Sequence, residues 1–101
     1  MLVQGDVFLV KGSIPNFVKP VAREPRGFVL AEGEHTGHAH VIEDDIEVYE
    51  DEKGTMWIRC AEISTLTHEE HKPITIEPGE YQVGRILEYD PFTEEARRVQ
   101  D

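Results

Sequence analysis

Apolar and polar residues alternate in short runs along this chain, the period-two pattern of strands that bury one face. Met1–Asp6 reads as a first strand rather than a signal peptide, because no charged stretch leads it and Asp6 and Lys11 interrupt the apolar positions. Asp6–Lys11 is rich in β-formers and stops at Gly12-Ser13. Ile14–Arg26 contains Pro15, Pro20 and Pro25, which remove ladder donors, so a long loop with one extended piece near Phe17-Val18 is expected. Gly27–Ala31, His38–Glu43, Ile46–Glu50 and Thr55–Ala61 read as strands, the last extended by Ile63–Thr67. Between them Asp51-Glu52-Lys53-Gly54 predicts a hairpin loop with glycine last. Ile74–Glu77, the turn Pro78-Gly79 and Glu80–Asp90 complete the sheet, with Tyr81, Val83, Arg85, Leu87 and Tyr89 on one face and Pro91 as the stop.

One helix candidate remains, Thr93–Val99. Thr93 can cap it, Glu94 and Glu95 fall in its first turn and Arg97 and Arg98 in its last, an order that suits the helix dipole. A helix this short is marginal in water without docking. Seven or eight short strands in 101 residues predict a mainly β fold, a small single-domain β-barrel or β-sandwich over residues 1–101 with that short C-terminal helix.

Composition narrows the partners. Hydrophobic residues make up 39% of the chain, enough for one modest core, and no apolar run approaches the ~20 residues of a membrane-spanning helix. The net charge is −11. Nucleic-acid binding draws its affinity from lysine and arginine on phosphates, so no nucleic acid and no membrane are expected as partners. The charge is split: residues 1–31 carry net +2 and residues 32–101 net −13, with seven acids in the ten positions Glu43–Glu52. A solvated acidic face explains this; the sharper reading sets the basic loop Lys19–Arg26 against an acidic face, its own or that of a second subunit in a homo-oligomer. Cys60 is the single cysteine, so no intrachain disulfide forms and a cytoplasmic setting is expected. It shares a strand face with Met56 and Ile58 and reads as a small core residue rather than a nucleophile.

The histidines carry the candidate chemistry. All five, His35, His38, His40, His68 and His71, fall between residues 35 and 71. On a strand, His38-Ala39-His40 directs two imidazoles to one face together with Ile42. His68-Glu69-Glu70-His71 allows convergence on one turn of helix or in a tight loop. Neutral imidazoles converging on a point suit a transition metal, Zn, Fe, Ni, Cu or Mn, so His38, His40, His68 and His71 are the candidate ligands. Glu34, Glu43, Glu69 and Glu70 can accept the second ring N–H. Against this stands the reading of histidines hydrogen-bonded to carboxylates with no metal. The HEEH segment lacks the spacing of a zinc-protease helix, and no phosphate-binding glycine loop or serine elbow occurs.

Two resemblances follow from these motifs. Gly33-(x4)-His38-Ala39-His40 with later Glu77-Pro78-Gly79-Glu80-Tyr81 resembles a cupin, a small β-barrel whose metal is held by an HxH pair, a glutamate and a later histidine. His38 and His40 match the pair and Glu43 or Glu47 the acid, but the glycine spacing is short by one and no histidine follows Pro78-Gly79, so His68 or His71 would have to substitute. More of the chain resembles a little-characterised family of small prokaryotic proteins. Its pattern is Gly5-Asp6-Val7, Ala31-Glu32-Gly33-Glu34-(x)-Thr36-Gly37-His38-Ala39-His40, Leu66-(x)-His68-Glu69-Glu70-His71-(x)-Pro73-Ile74, Pro78-Gly79-(x)-Tyr81-(x)-Val83, Glu88-Tyr89-(x)-Pro91 and Arg97-Arg98-Val99-(x)-Asp101. That resemblance implies a shared fold and histidine set, with no established activity.

The function expected is binding of a transition metal, the reaction unknown. If it is catalytic, Glu69 or Glu70 is the candidate base. The alternative is a non-enzymatic assembly or interaction module using the charge split and the strand aromatics Trp57, Tyr81 and Tyr89, with structural or pH-sensing histidines.

Overall fold

Twelve strands and no helix occur among the described residues of the computed structural model, which are 1–33, 36–90 and 95–98. In chain order the strands are β1 (Leu2–Gln4), β2 (Val7–Lys11), β3 (Val18–Pro20), β4 (Phe28–Glu32), β5 (Ala39–Ile42), β6 (Glu47–Asp51), β7 (Met56–Cys60), β8 (Ser64–Thr67), β9 (Ile74–Ile76), β10 (Gly79–Arg85), β11 (Leu87–Asp90) and β12 (Glu95–Arg98). All pairings are antiparallel. Six strands form one sheet in the order β1-β2-β10-β7-β6-β3, four form a second in the order β4-β5-β8-β9, and β11 pairs with β12.

The alternation read from the sequence is what builds the core. In the larger sheet Leu9 lies opposite Val83, Tyr81 opposite Ile58, and Ile58 opposite Val48, all buried on one face. In the smaller sheet Phe28 lies opposite Ile42, and Ile42 opposite Leu66. Both sets belong to one hydrophobic cluster, and each fully buried Ile or Leu contributes roughly 1.5–3 kcal/mol by leaving water. Two sheets sharing a core match the sandwich expectation. The barrel does not hold, because β1 and β3 remain as edges of the larger sheet and no ladder closes it.

Three boundaries differ from the sequence reading, each for a local reason. Met1–Lys11 is a hairpin rather than two independent runs. Gln4 pairs with Val7 across the two-residue turn Gly5-Asp6, and Gly5 takes φ 58°, the left-handed region such a turn needs at its first central position. The last strand is not continuous from Glu80 to Asp90: Ile86 N–H makes a last in-register bond to Asp6 O at 2.7 Å, and beyond it Leu87–Asp90 changes partner from β2 to β12. Ile63–Thr67 does not prolong β7; its strand, β8, belongs to the other sheet. The helix expected over Thr93–Val99 is also corrected where it is described: Glu95–Arg98 is a strand paired with Leu87–Asp90, while Thr93, Glu94 and Val99 lie outside the described residues. A seven-residue helix has few internal hydrogen bonds, and a neighbouring strand offers a full ladder.

The hairpin loop at Asp51–Gly54 forms as read. Gly54 takes φ 83°, and Asp51 carboxylate oxygens accept from the Lys53 and Thr55 amides and the Trp57 indole. The proline-rich stretch is a loop broken by β3, whose Pro20 sits on a sheet edge where no ladder donor is needed. Its start is held by Glu80, which accepts from the Ile14 amide at 2.8 Å and from Arg59 at 3.1 Å. The Ile14 amide and then Arg59 hold the Glu80 carboxyl below its ordinary value. Its contribution to stability is therefore present above the ordinary carboxylate value and lost as pH falls through the lowered one. Acid denaturation of Glu80→Gln against wild type checks this: the variant should lose less stability between pH 5 and pH 3, and parallel curves would show that Glu80 contributes nothing.

The basic loop meets its own chain. Arg26 pairs with Glu32 at 2.7 Å, and Arg23 donates to backbone oxygens of Glu24, Pro25 and Glu43. No helix among the described residues is long and apolar enough to cross a membrane.

Candidate metal centre

The two histidine motifs lie about thirty positions apart in sequence and are joined by the smaller sheet. Strand β5 pairs with β8 through Val41↔Thr67, so the residues flanking that pair, His40 and His68, become neighbours. Their ring centroids are 4.4 Å apart. His71 lies 4.6 Å from His68, and the His38 ring meets His68 edge-on at 5.8 Å. His68 is thus the centre of the group, with His38, His40 and His71 around it. His35 and Glu34 lie outside the described residues.

The four imidazoles are not equivalent. His38 precedes β5 and is partly exposed, whereas His40 is fully buried beside Ile42. Opposite His40 the β4–β5 register shifts between Val29 and Ala31, a bulge of the kind that re-aims side chains beside sites. His40 Nδ1 lies 2.9 Å from Gln4 Oε1, and Nε2 lies 3.2 Å from Asp6 Oδ1. The Gln4 amide orientation is set by its other end, since Nε2 donates to Leu66 O and Lys72 O, each at 2.9 Å. A nitrogen facing two carbonyls must be the NH2 group, so Oε1 faces His40 and Nδ1 carries the hydrogen between them. Asp6 in turn accepts from Arg85 Nε at 2.6 Å and from Arg85 Nη2. Gln4 precedes the tight turn of the first hairpin and Asp6 is its second residue, and both are buried.

The donor atoms left facing one another come from His38, His68 and Glu69. One ligand-capable atom of each lies within 4.8 Å of the other two. His38 Nδ1 is buried and has no hydrogen-bond partner; Glu70 Oε1, at 3.4 Å, is outside bonding geometry. Glu69 Oε1 accepts the Ala39 amide at 2.9 Å, and this bond, ahead of His38 and His68, holds its carboxyl below the ordinary value. The carboxylate is therefore available in its charged form, tied by one oxygen to the strand that carries His40. His68 Nδ1 accepts the Glu70 amide at 3.1 Å. Beside the group is a shallow depression of about 310 Å³ lined by Arg26, Val41, Glu43, Thr67, His68 and Glu69.

Two imidazoles, one carboxylate and an orphaned ring nitrogen fit a borderline transition metal. The structure thus gathers His38, His40, His68 and His71, but it engages both His40 nitrogens with Gln4 and Asp6, and it adds Glu69 to the donors. Glu47, one of the acids matched to the cupin pattern, is elsewhere: it pairs with Arg59 on the larger sheet. Gln4 and Arg85 escaped the sequence reading because nothing local marks a glutamine or arginine as a partner of a distant histidine. Asp6 had a signal, the Gly5-Asp6-Val7 motif, without a role. Cys60 is 2% exposed in the core, as its strand position implied.

A two-sheet antiparallel β protein with a buried histidine anchor and a His–His–Glu cluster at its rim is the class these features define. Residues 3–86 match the family described as a domain of unknown function, DUF8820, and the chain belongs to that family. The match carries no cupin likeness. No curated protein and no solved structure matches the chain.

Proposed function

We propose that this protein binds a divalent transition metal through His38, His68 and Glu69, with His71 beside them and His40 as an anchor rather than a ligand. The observation that carries the reading is the mutual approach, within 4.8 Å, of one ligand-capable atom each from His38, His68 and Glu69, in a group where His38 Nδ1 is buried without a hydrogen-bond partner. Three protein donors leave coordination positions for water or a small ligand, as in catalytic rather than structural sites.

The experiment is metal titration and elemental analysis of untagged protein. Near-stoichiometric metal is expected in wild type. His38→Ala and His68→Ala should weaken binding by more than the ~10–100-fold typical of outer-shell partners, while the exposed acid Glu52 can be replaced without effect. Wild type that retains none of Zn, Fe, Ni, Cu or Mn ends the proposal.

A second reading is favoured by one bond. The Glu70 amide donates to His68 Nδ1, which leaves the ring hydrogen of a neutral imidazole on Nε2. In that reading the histidines are structural, and the protein is an interaction or assembly module, with a homo-oligomer among its forms. A metal-free protein whose oligomeric state follows concentration in sedimentation would support it.

A further inference from the structure

We infer that Gln4 is the positioning residue of this site: its one side-chain amide closes the His68–His71 loop at both ends and locks it to His40, so that the loop presents His68 and Glu69 to the ion. The inference rests on the metal-binding reading and adds the device that makes the site a rigid one.

The loop between β8 and β9 is bracketed near its ends by Leu66, next to last in β8, and Lys72, two positions before β9. Gln4 Nε2 donates to the backbone oxygens of both, each at 2.9 Å, from a side chain that is 3% exposed. Its Oε1 takes the third bond, from His40 Nδ1. One residue thus pins both ends of a loop and the strand that faces it. The loop is further fixed by the Ala39 amide on Glu69. The order of connection is Arg85 to Asp6, Asp6 to His40, His40 to Gln4, and Gln4 to the loop. Strands β1, β5 and β10 are coupled through it, which holds each partner in one rotamer. Donors held in place before the ion arrives lose less freedom on binding it, so a loosened loop should lower affinity without changing the number of ions.

Two substitutions separate the bonds. Gln4→Glu keeps an acceptor for His40 but sets a carboxylate oxygen against the oxygens of Leu66 and Lys72. Gln4→Met keeps the volume and removes all three bonds. Both variants, folded by circular dichroism, should still bind metal at the wild-type stoichiometry, with affinity lower by ~10–100-fold. Amide exchange in metal-free protein should be faster at Ala39 and Glu70 in both. In wild type the two Gln4 side-chain amide protons should exchange slowly, which needs no variant. Wild-type affinity in a folded variant, or rapidly exchanging Gln4 amide protons in wild type, overturns the inference while leaving the metal reading intact. Wild type without metal affinity removes the metal reading and this role with it. Loss of stoichiometry as well as affinity would make Gln4 part of a larger structural failure and also overturn it.

Discussion

Replacing Asp6 with alanine should destabilise the fold by about 3–5 kcal/mol, the range for removing one partner of a buried ion pair. Asp6 has no exposed side-chain surface and accepts from Arg85, whose side chain is 18% exposed, while its other oxygen faces fully buried His40. Without the carboxylate, a guanidinium and an imidazole are left facing each other across a space from which water is largely excluded. Domains of this size carry roughly 5–15 kcal/mol in total, so the loss would be a large share of the stability. Asp6→Asn keeps an acceptor for one neighbour and should lose less. Chemical denaturation of the three proteins measures this directly. A change under about 0.5 kcal/mol, the scale of ordinary surface substitutions, would mean that Arg85 and His40 find solvent once Asp6 is gone.

The second large effect is expected at Leu66. It is fully buried, opposite Ile42 on one side and Ile74 on the other, and its own backbone oxygen receives Gln4. Leu66→Ala leaves a cavity between the sheets and should be destabilising by about 2–5 kcal/mol. Ile63→Ala removes an exposed side chain of the same size, 61% accessible, three positions earlier, and should stay within about 0.5 kcal/mol of wild type. Equal losses at the two positions in a denaturant titration would contradict the assigned core. Leu66 lies two positions before His68 and its oxygen receives Gln4, so on the metal-binding proposal the Leu66 variant should also bind metal more weakly.

Period-two alternation was enough to place most strands of the core, because each half-buried strand writes its inward face into every second residue. Val7 and Leu9, Ile58 and Cys60, and Tyr81 and Val83 are all inward pairs of this kind. What alternation cannot say is which sheet a strand joins. Ser64–Thr67 has the same pattern as β7, yet its partners are β5 and β9. The histidine gathering was legible because all the motif residues bracket strands that pair. The division of labour within it was not. His38 and His40 look alike in sequence, and only the three-dimensional approach of Gln4 and Asp6 buries one and leaves the other partly exposed with a free nitrogen. The short C-terminal helix failed for the opposite reason: a good charge order along Thr93–Val99 says nothing about a strand partner eight positions upstream.

The contact between Asp6 and Arg85 spans 79 residues of chain. During synthesis the first hairpin leaves the ribosome long before its arginine exists. At about 5–20 residues per second, the wait is on the order of 4–16 s. Throughout that interval a carboxylate and an amide destined for the interior have only water for company, and the pocket for His40 has no floor. Assembly of the histidine cluster is therefore a late event of biogenesis, and on the metal-binding proposal an ion offered to the nascent chain would meet loose histidines.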